Sequence, residues 1–264
     1  PYYNKCGGCN FQFVESCNGL NIKKQIIADY FQNLYNKTIT VAKSKNSFNY
    51  RNKASFFVSN GKVGFQKENT NEVVEIDQCL ILNPTINTVL QVLKQWLKTY
   101  NQTSISHFVV RTLNDKTSVV VVAKSRVNNL SNLIDGLKNT LLEGNFGLYI
   151  NLNANKHKIL SENYVHIYGL KLLETNFKNI KYFVHPNSFM QVNDDVKNNL
   201  YNEVLNNIHS SNVVIEGYSG AGLLSALIST KAQKVFAVEI NKHATQDANN
   251  VKQQNSLSNL QNIN

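Results

Sequence analysis

The chain has 264 residues, 42% of them hydrophobic, and a formal net charge of +10. That length and apolar content can fill one large core or two ordinary ones, and a soluble globular protein is expected. No run of about 18 apolar residues is present, and the start has no charged stretch leading into an apolar one, so neither a membrane span nor a secretory leader is read and the cytoplasm is the expected compartment. The basic balance invites a polyanionic partner such as nucleic acid. Arg51, Arg111 and Arg126 are the only arginines in a chain crowded with Asn, Lys and Ile, which points to a compositional bias and weakens the inference from charge.

The chain opens PYYNKCGGCNFQF, with Cys6 and Cys9 spaced as CxxC; the other cysteines are Cys17 and Cys79. In a reducing compartment such a pair binds metal or acts in redox chemistry more often than it forms a structural disulfide. A thioredoxin-like motif needs a strand before it, and Pro1 to Lys5 is too short to supply one, so a metal or cluster is favoured. Apolar residues at Ile22, Ile26, Ile27, Tyr30, Phe31 and Leu34 then predict a helix over 20–35. From 48 to 82 short alternating runs, ASFFVS, KVGFQ and EVVEID, predict strands, with a hairpin at NGK. A helix over 84–100 starts at Pro84. Strands at HFVVRTL and SVVVVAK, a helix near 129–143 and strands at LYINLNA and VHIYG complete an antiparallel α+β domain.

The character changes from 196 on, where VKNNLYNEVLNNI reads as a helix, VVIE (213–216) as a buried strand, GYSGAG as a glycine-rich turn, LLSALIST as a helix and KVFAVEI (234–240) as a second buried strand. This is a βαβ unit with a nucleotide-type turn, and a third strand is expected at NLQNIN. Two parallel strands cannot make the two-sided sheet that such apolar strands require, so a fragment or truncated form of a longer protein is expected. Ser225 stands where a dinucleotide fingerprint has its third glycine, and the turn reads better as Glu216, Gly220, Gly222. Glycines let the backbone approach a ligand, and Glu239, ending the next strand, can accept hydrogen bonds from both ribose hydroxyls. The pairing suits S-adenosylmethionine, which has no pyrophosphate to seat.

Four segments carry a resemblance: CGGC with its aromatic surroundings, YRNKASFFV (50–58) followed by VGFQ, FVHPNSFMQVN (183–193), and VIEGYSGAG with VFAVEIN. With these the chain resembles the RNA uracil-C5 methyltransferases, most of all their 23S ribosomal RNA branch, whose members hold a 4Fe-4S cluster. The resemblance implies that Cys6, Cys9 and Cys79 are cluster ligands, with a further cysteine expected just before Pro1. Cys17 matches no ligand position and is read as a packing residue or a substitute ligand; zinc would use the same thiols. It implies also that Gln191, Tyr218, Gly220 and Glu239 contact S-adenosylmethionine. Ser219 and Leu223 depart from the residues usual in that turn, Leu223 from an Asn that touches the cofactor in some relatives.

Carbon 5 of uracil is too poor a nucleophile for direct methyl transfer, so a cysteine thiolate must first add to carbon 6. No cysteine follows Cys79, so the resemblance leaves no catalytic residue to name in this chain. Arg51, Lys53, Lys67, Arg111 and Lys124 are candidate phosphate contacts. The expected organisation is an α+β iron-sulfur and RNA-recognition domain over 1–182, followed by the first part of a Rossmann-like methyltransferase domain over 183–264. The expected partner is 23S rRNA, with no membrane and no obligate protein partner. Two alternatives stand beside this reading: a tRNA uracil-C5 methyltransferase, and a non-catalytic, zinc-stabilised RNA-binding module.

Overall fold

The structure, a computed structural model, describes residues 2–35, 41–155, 157–208 and 213–264, and only the backbone of Ser16 and Cys17. Helix α1 (Ser16–Tyr35) precedes strands β1 (Lys53–Ser59), β2 (Lys62–Gln66) and β3 (Val73–Glu75). Asn60 and Gly61 connect β1 to β2 with φ of +52° and +75°, the left-handed pair that a two-residue hairpin demands. Helix α2 (Pro84–Tyr100) is capped by Asn83, whose side chain accepts from the Thr85 amide, and it stops at left-handed Asn101. Its buried face, Ile86, Val89, Leu90, Leu93, Trp96 and Leu97, recurs every three or four residues as a core-facing stripe must.

Strands β4 (Ile105–Leu113) and β5 (Lys116–Ala123), helix α3 (Leu130–Lys138), and strands β6 (Phe146–Leu152) and β7 (Tyr164–Gly169) complete a seven-stranded sheet in the order β3-β2-β1-β4-β5-β6-β7. The sheet is mixed, which corrects the antiparallel reading: β5 and β6 run parallel. The chain leaves β5, crosses through α3 and re-enters at β6, and such a crossover is what places two successive strands in parallel. Phe108, Val110, Val119, Val121 and Leu148 face α2 and α3 in the main core, while Val109, Val120 and Tyr149 form a smaller cluster on the opposite face. Trp96 lies in the main core, 4% exposed, and donates to the Asn129 carbonyl at 2.9 Å. The apolar residues of α1 lie outside the cores, and Ile26, Tyr30, Leu34 and Tyr35 are exposed.

The hairpin β8 (Leu173–Phe177) and β9 (Ile180–Val184) leads to helix α4 (Asp194–Asn206) and then to β10 (Val213–Gly217), α5 (Leu223–Ser229), β11 (Lys234–Val238), α6 (Lys242–Gln254) and β12 (Leu260–Ile263). Strands β10, β11 and β12 are parallel neighbours in that order, and the strand expected at NLQNIN is β12. A second core gathers Leu173, Tyr182 and Val184 from the hairpin with Leu227, Val235, Val251 and Leu260. No described helix is long and apolar enough to cross a membrane.

Candidate functional site

The glycine turn follows β10. Tyr218, Gly220 and Gly222 have φ of +60°, +58° and +78°, so the chain reverses through left-handed conformations that glycine adopts without strain and tyrosine does not. Tyr218 is 94% exposed, its ring clear of every core. Glu239, just past β11, accepts from the Gly220 amide through Oε2 at 2.9 Å and from the Asn241 amide through Oε1 at 2.7 Å. Each oxygen keeps a second lone pair, so the carboxylate that organises the turn can accept further hydrogen bonds. Glu216 at the end of β10 faces inward, where it accepts from the Ser225 hydroxyl and burial raises its pKa to about 7.

A second segment borders this turn. A Cβ added to Gly220 would lie 3.5 Å from the Phe189 carbonyl, so residues 188–191 run alongside it. Gln191 is exposed, and its carbonyl accepts from Asn52 Nδ2 at 3.2 Å. The Asn52 amide donates to the Val192 carbonyl at 2.8 Å, and the Arg51 amide to the Ile81 carbonyl at 2.8 Å. The YRN strand lead therefore joins the loop after Cys79 on one side to the SFMQVN segment on the other. A recess of about 230 Å³ opens on this seam, lined by Tyr50, Asn52, Asn83, Asn193 and Asp194 among others.

Cys6, Cys9 and Cys79 are free thiols, all half-buried. Burial pushes the Cys9 thiol up and the charges of Cys79 and Cys6 add to it, so Cys79, 70 positions after Cys9 in sequence, lies in the same electrostatic neighbourhood as Cys6 and Cys9. Cys79 is raised by burial and partly relieved by hydrogen bonds from the backbone of Ile81 and Leu82. The Gly8 amide donates to Cys6 Sγ at 3.4 Å, and Arg51 attracts the thiolates of Cys9 and Cys79. Amide donors and a guanidinium around half-buried thiols suit thiolate ligands. Among the described residues no three His, Cys, Asp or Glu side chains surround the position of a single metal ion. The side chain of Cys17 lies outside the described residues.

Of the candidate phosphate contacts, Lys67 and Lys124 are exposed and Arg51 and Lys53 half-buried. Arg111 is 3% exposed and cannot meet a phosphate, which corrects the expectation placed on it. It alternates with Phe108 and Val110 along β4, and its face of the sheet is covered by the turn at 185–188. Its Nη2 donates to the Ser188 carbonyl at 2.7 Å. Burial lowers its pKa to about 10, with Asp247, Tyr164 and Asp194 pulling it back up, so it stays charged at neutral pH. Burial together with Arg111 and Arg51 lowers Lys53 to about 7. Asp247 on α6 accepts from the His185 amide at 2.6 Å and the Ser188 hydroxyl at 2.7 Å, and burial raises it to about 6. His185 stacks on His243 with centroids 4.4 Å apart and packs edge-on against Tyr164 at 4.8 Å. Burial, with His243 and Arg111 adding to it, lowers His185 to about 4. Sequence reading missed Asn52, His185 and Asp247, since a lone Asp in a weakly patterned helix carries no local signal.

A profile of the tRNA (uracil-5-)-methyltransferase family matches residues 15–264. An uncharacterised RNA methyltransferase of Caldanaerobacter subterraneus subsp. tengcongensis is 30% identical over 284 residues, spanning 98% of this chain and 62% of the relative. One from Clostridium tetani is 27% identical over 280 residues, spanning 98% and 61%. The chain thus spans about three fifths of the length of these curated relatives. Among solved structures, Pyrococcus abyssi tRNA (uracil-54, C5)-methyltransferase in complex with S-adenosyl-L-homocysteine superposes with a TM-score of 0.81 at 20% identity, over 100% of this chain and 66% of that one. At that identity the likeness establishes a shared fold.

Proposed function

The chain belongs to the tRNA (uracil-5-)-methyltransferase family, and from that premise we propose that the protein carrying it transfers the methyl group of S-adenosylmethionine to carbon 5 of a uridine in RNA. One observation carries the reading: Glu239 holds the Gly220 amide at 2.9 Å while retaining free acceptor capacity at the end of a parallel strand. An acid so placed accepts from ribose hydroxyls, and the open backbone of the glycine turn admits the rest of a nucleoside. Gln191 and Tyr218 are the proposed flanking contacts: the segment of the first borders the turn, and the second is exposed within it. The proposed organisation is an RNA-recognition unit over 1–182 and a methyltransferase unit over 183–264. The amide-lined recess on the seam supports an RNA partner, because its Asn and Asp side chains can pair with base edges.

Cys6, Cys9 and Cys79 would hold the 4Fe-4S cluster implied by the resemblance, together with a thiolate from outside the described residues. A cluster divides its thiolates among separate irons, so they need not surround one point as zinc ligands must. When bound, the cluster supplies a rigid cross-link between the first loop and the loop after Cys79. The residues of this chain bind and orient it: Arg51 offsets its negative charge, and the amides near Cys6 and Cys79 donate to sulfur. Iron and acid-labile sulfide in near-equal amounts are expected in anaerobically purified full-length protein; stoichiometric zinc without sulfide would sink the cluster.

The proposed substrate is 23S rRNA, on the strength of the CGGC thiols. The name of the family and the tRNA substrate of the P. abyssi enzyme favour tRNA as the second reading. Mapping 5-methyluridine in 23S rRNA and in tRNA from cells lacking the gene separates them. Loss of a site in 23S rRNA alone supports the first reading, loss in tRNA alone the second, and an unchanged methylation map in both overturns the activity.

A further inference from the structure

The seam between the two cores holds a charge that the proposed reaction does not account for. Arg111 is buried, yet the only hydrogen bond of its guanidinium among the described residues runs from Nη2 to the Ser188 carbonyl, and Nε and Nη1 have no partner. Keeping an ionised guanidinium away from water is unfavourable unless its surroundings compensate it. Asp247, across the seam on α6, supplies the compensating charge and grips the same turn from the other side through the Ser188 hydroxyl and the His185 amide. Ser188 is thus held by its carbonyl from β4 and by its hydroxyl from α6. The next residue, Phe189, is the one whose carbonyl borders Gly220.

We propose that Arg111 is a positioning residue for the cofactor pocket, acting from the RNA-recognition sheet to fix the 185–188 turn so that the segment through Gln191 lies against the glycine turn. This rests on the reading of that turn as the S-adenosylmethionine site. Asp247, 2% exposed, is the second jaw of the clamp, and His185, whose amide it accepts from, stacks on His243 and packs edge-on against Tyr164. The arrangement makes cofactor affinity depend on how the two units are docked, through a residue that touches neither cofactor nor RNA.

The test uses the full-length protein and its Arg111→Met and Arg111→Lys variants. Hydrogen exchange over residues 187–192 reads the segment directly, and equilibrium binding of S-adenosylmethionine reads the pocket. Arg111→Met is expected to speed exchange in that segment at least tenfold and to weaken S-adenosylmethionine about tenfold, with binding to a 23S rRNA transcript changed less than twofold. In turnover, KM for S-adenosylmethionine rises while kcat at saturation stays within about twofold, a split that general unfolding does not produce. Arg111→Lys, which keeps the charge on a single-headed donor, falls between the two. It decides the matter on the same readouts should the Met variant fail to fold. Unchanged exchange, or faster exchange with unchanged cofactor affinity, overturns the proposal. A wild-type protein that does not bind S-adenosylmethionine sinks the cofactor site itself, while the exchange comparison still decides whether Arg111 holds the segment.

Discussion

At the scale of single residues, Glu216 couples the glycine turn to pH. Its carboxyl is buried against the Ser225 hydroxyl and raised from 4.5 to about 7. A carboxyl whose folded pKa lies above its unfolded value binds more protons in the folded state. The stability it contributes is therefore complete below about pH 4.5 and is lost as pH rises through 7. The shift corresponds to a loss on the order of 3 kcal/mol across that window. Glu216→Gln, which keeps the acceptor and removes the charge, is expected to match wild type near pH 4.5 and exceed it at pH 8. Urea melts of both proteins at the two pH values check this, and the variant-minus-wild-type difference cancels the opposing titrations of Asp247 and His185. Parallel pH curves would refute it. The placement of Glu239 just past the second strand of the βαβ unit was legible in the sequence, because an acid there has a local signature. The burial of Arg111 was not. Alternation along HFVVRTL separates two faces, but nothing in the strand tells that both are covered, one by helices and the other by a turn some 75 residues on.

Among elements, α5 and α6 come close together where α5 begins. Gly222 has φ +78°, and a Cβ there would stand 2.6 Å from the Cβ of Ala248 on α6. Gly61 in the β1–β2 hairpin has nearly the same backbone, φ +75°, with nothing within 4 Å of an added Cβ. Alanine at Gly61 should cost only the left-handed conformation, about 1–2 kcal/mol. Alanine at Gly222 adds the overpacking of α5 against α6, a further 1–3 kcal/mol or so. Denaturant midpoints of the two variants measure the difference, and equal losses would mean that the helices part freely. The same contact explains why α6 escaped the sequence reading. Its buried face is made of Ala244, Ala248 and Val251, correctly spaced but too small to stand out in a stretch rich in Asn, Gln and Lys. The β8–β9 hairpin was likewise missed; its turn is made by Lys178 and Asn179, with no glycine to mark it. By contrast α2 declared itself, since Pro84 and six large apolar residues at helical spacing admit few other structures.

For the whole molecule, the parallel β10–β11–β12 sheet lies beyond the change of period near 196, while the parallel β5–β6 pairing depended on a crossover that strand patterns alone do not announce. The two large cores share no buried residue. They meet through the Asn52 and Arg111 hydrogen bonds to residues 188–192 and through Leu113 at the end of β4, which is buried in the second core. Val213 and Ile215 on β10 are 56% and 73% exposed, so the second core buries its sheet less completely than the first. The burial of Trp96 gives this asymmetry an optical handle. As the chain's one tryptophan, it emits from the first core alone when excited at the red edge of its absorption, whereas far-ultraviolet dichroism sums the helices and strands of both units. A weaker second unit, joined to the first by a few hydrogen bonds and one buried leucine, makes the two signals part company in urea. Dichroism of this 264-residue chain should begin to fall while the indole emission still reports an apolar shell, and a blue-shifted plateau should persist between the two midpoints. Superimposable transitions would instead show that the clamp at Ser188 and the strand lead at Asn52 weld both cores into one cooperative body.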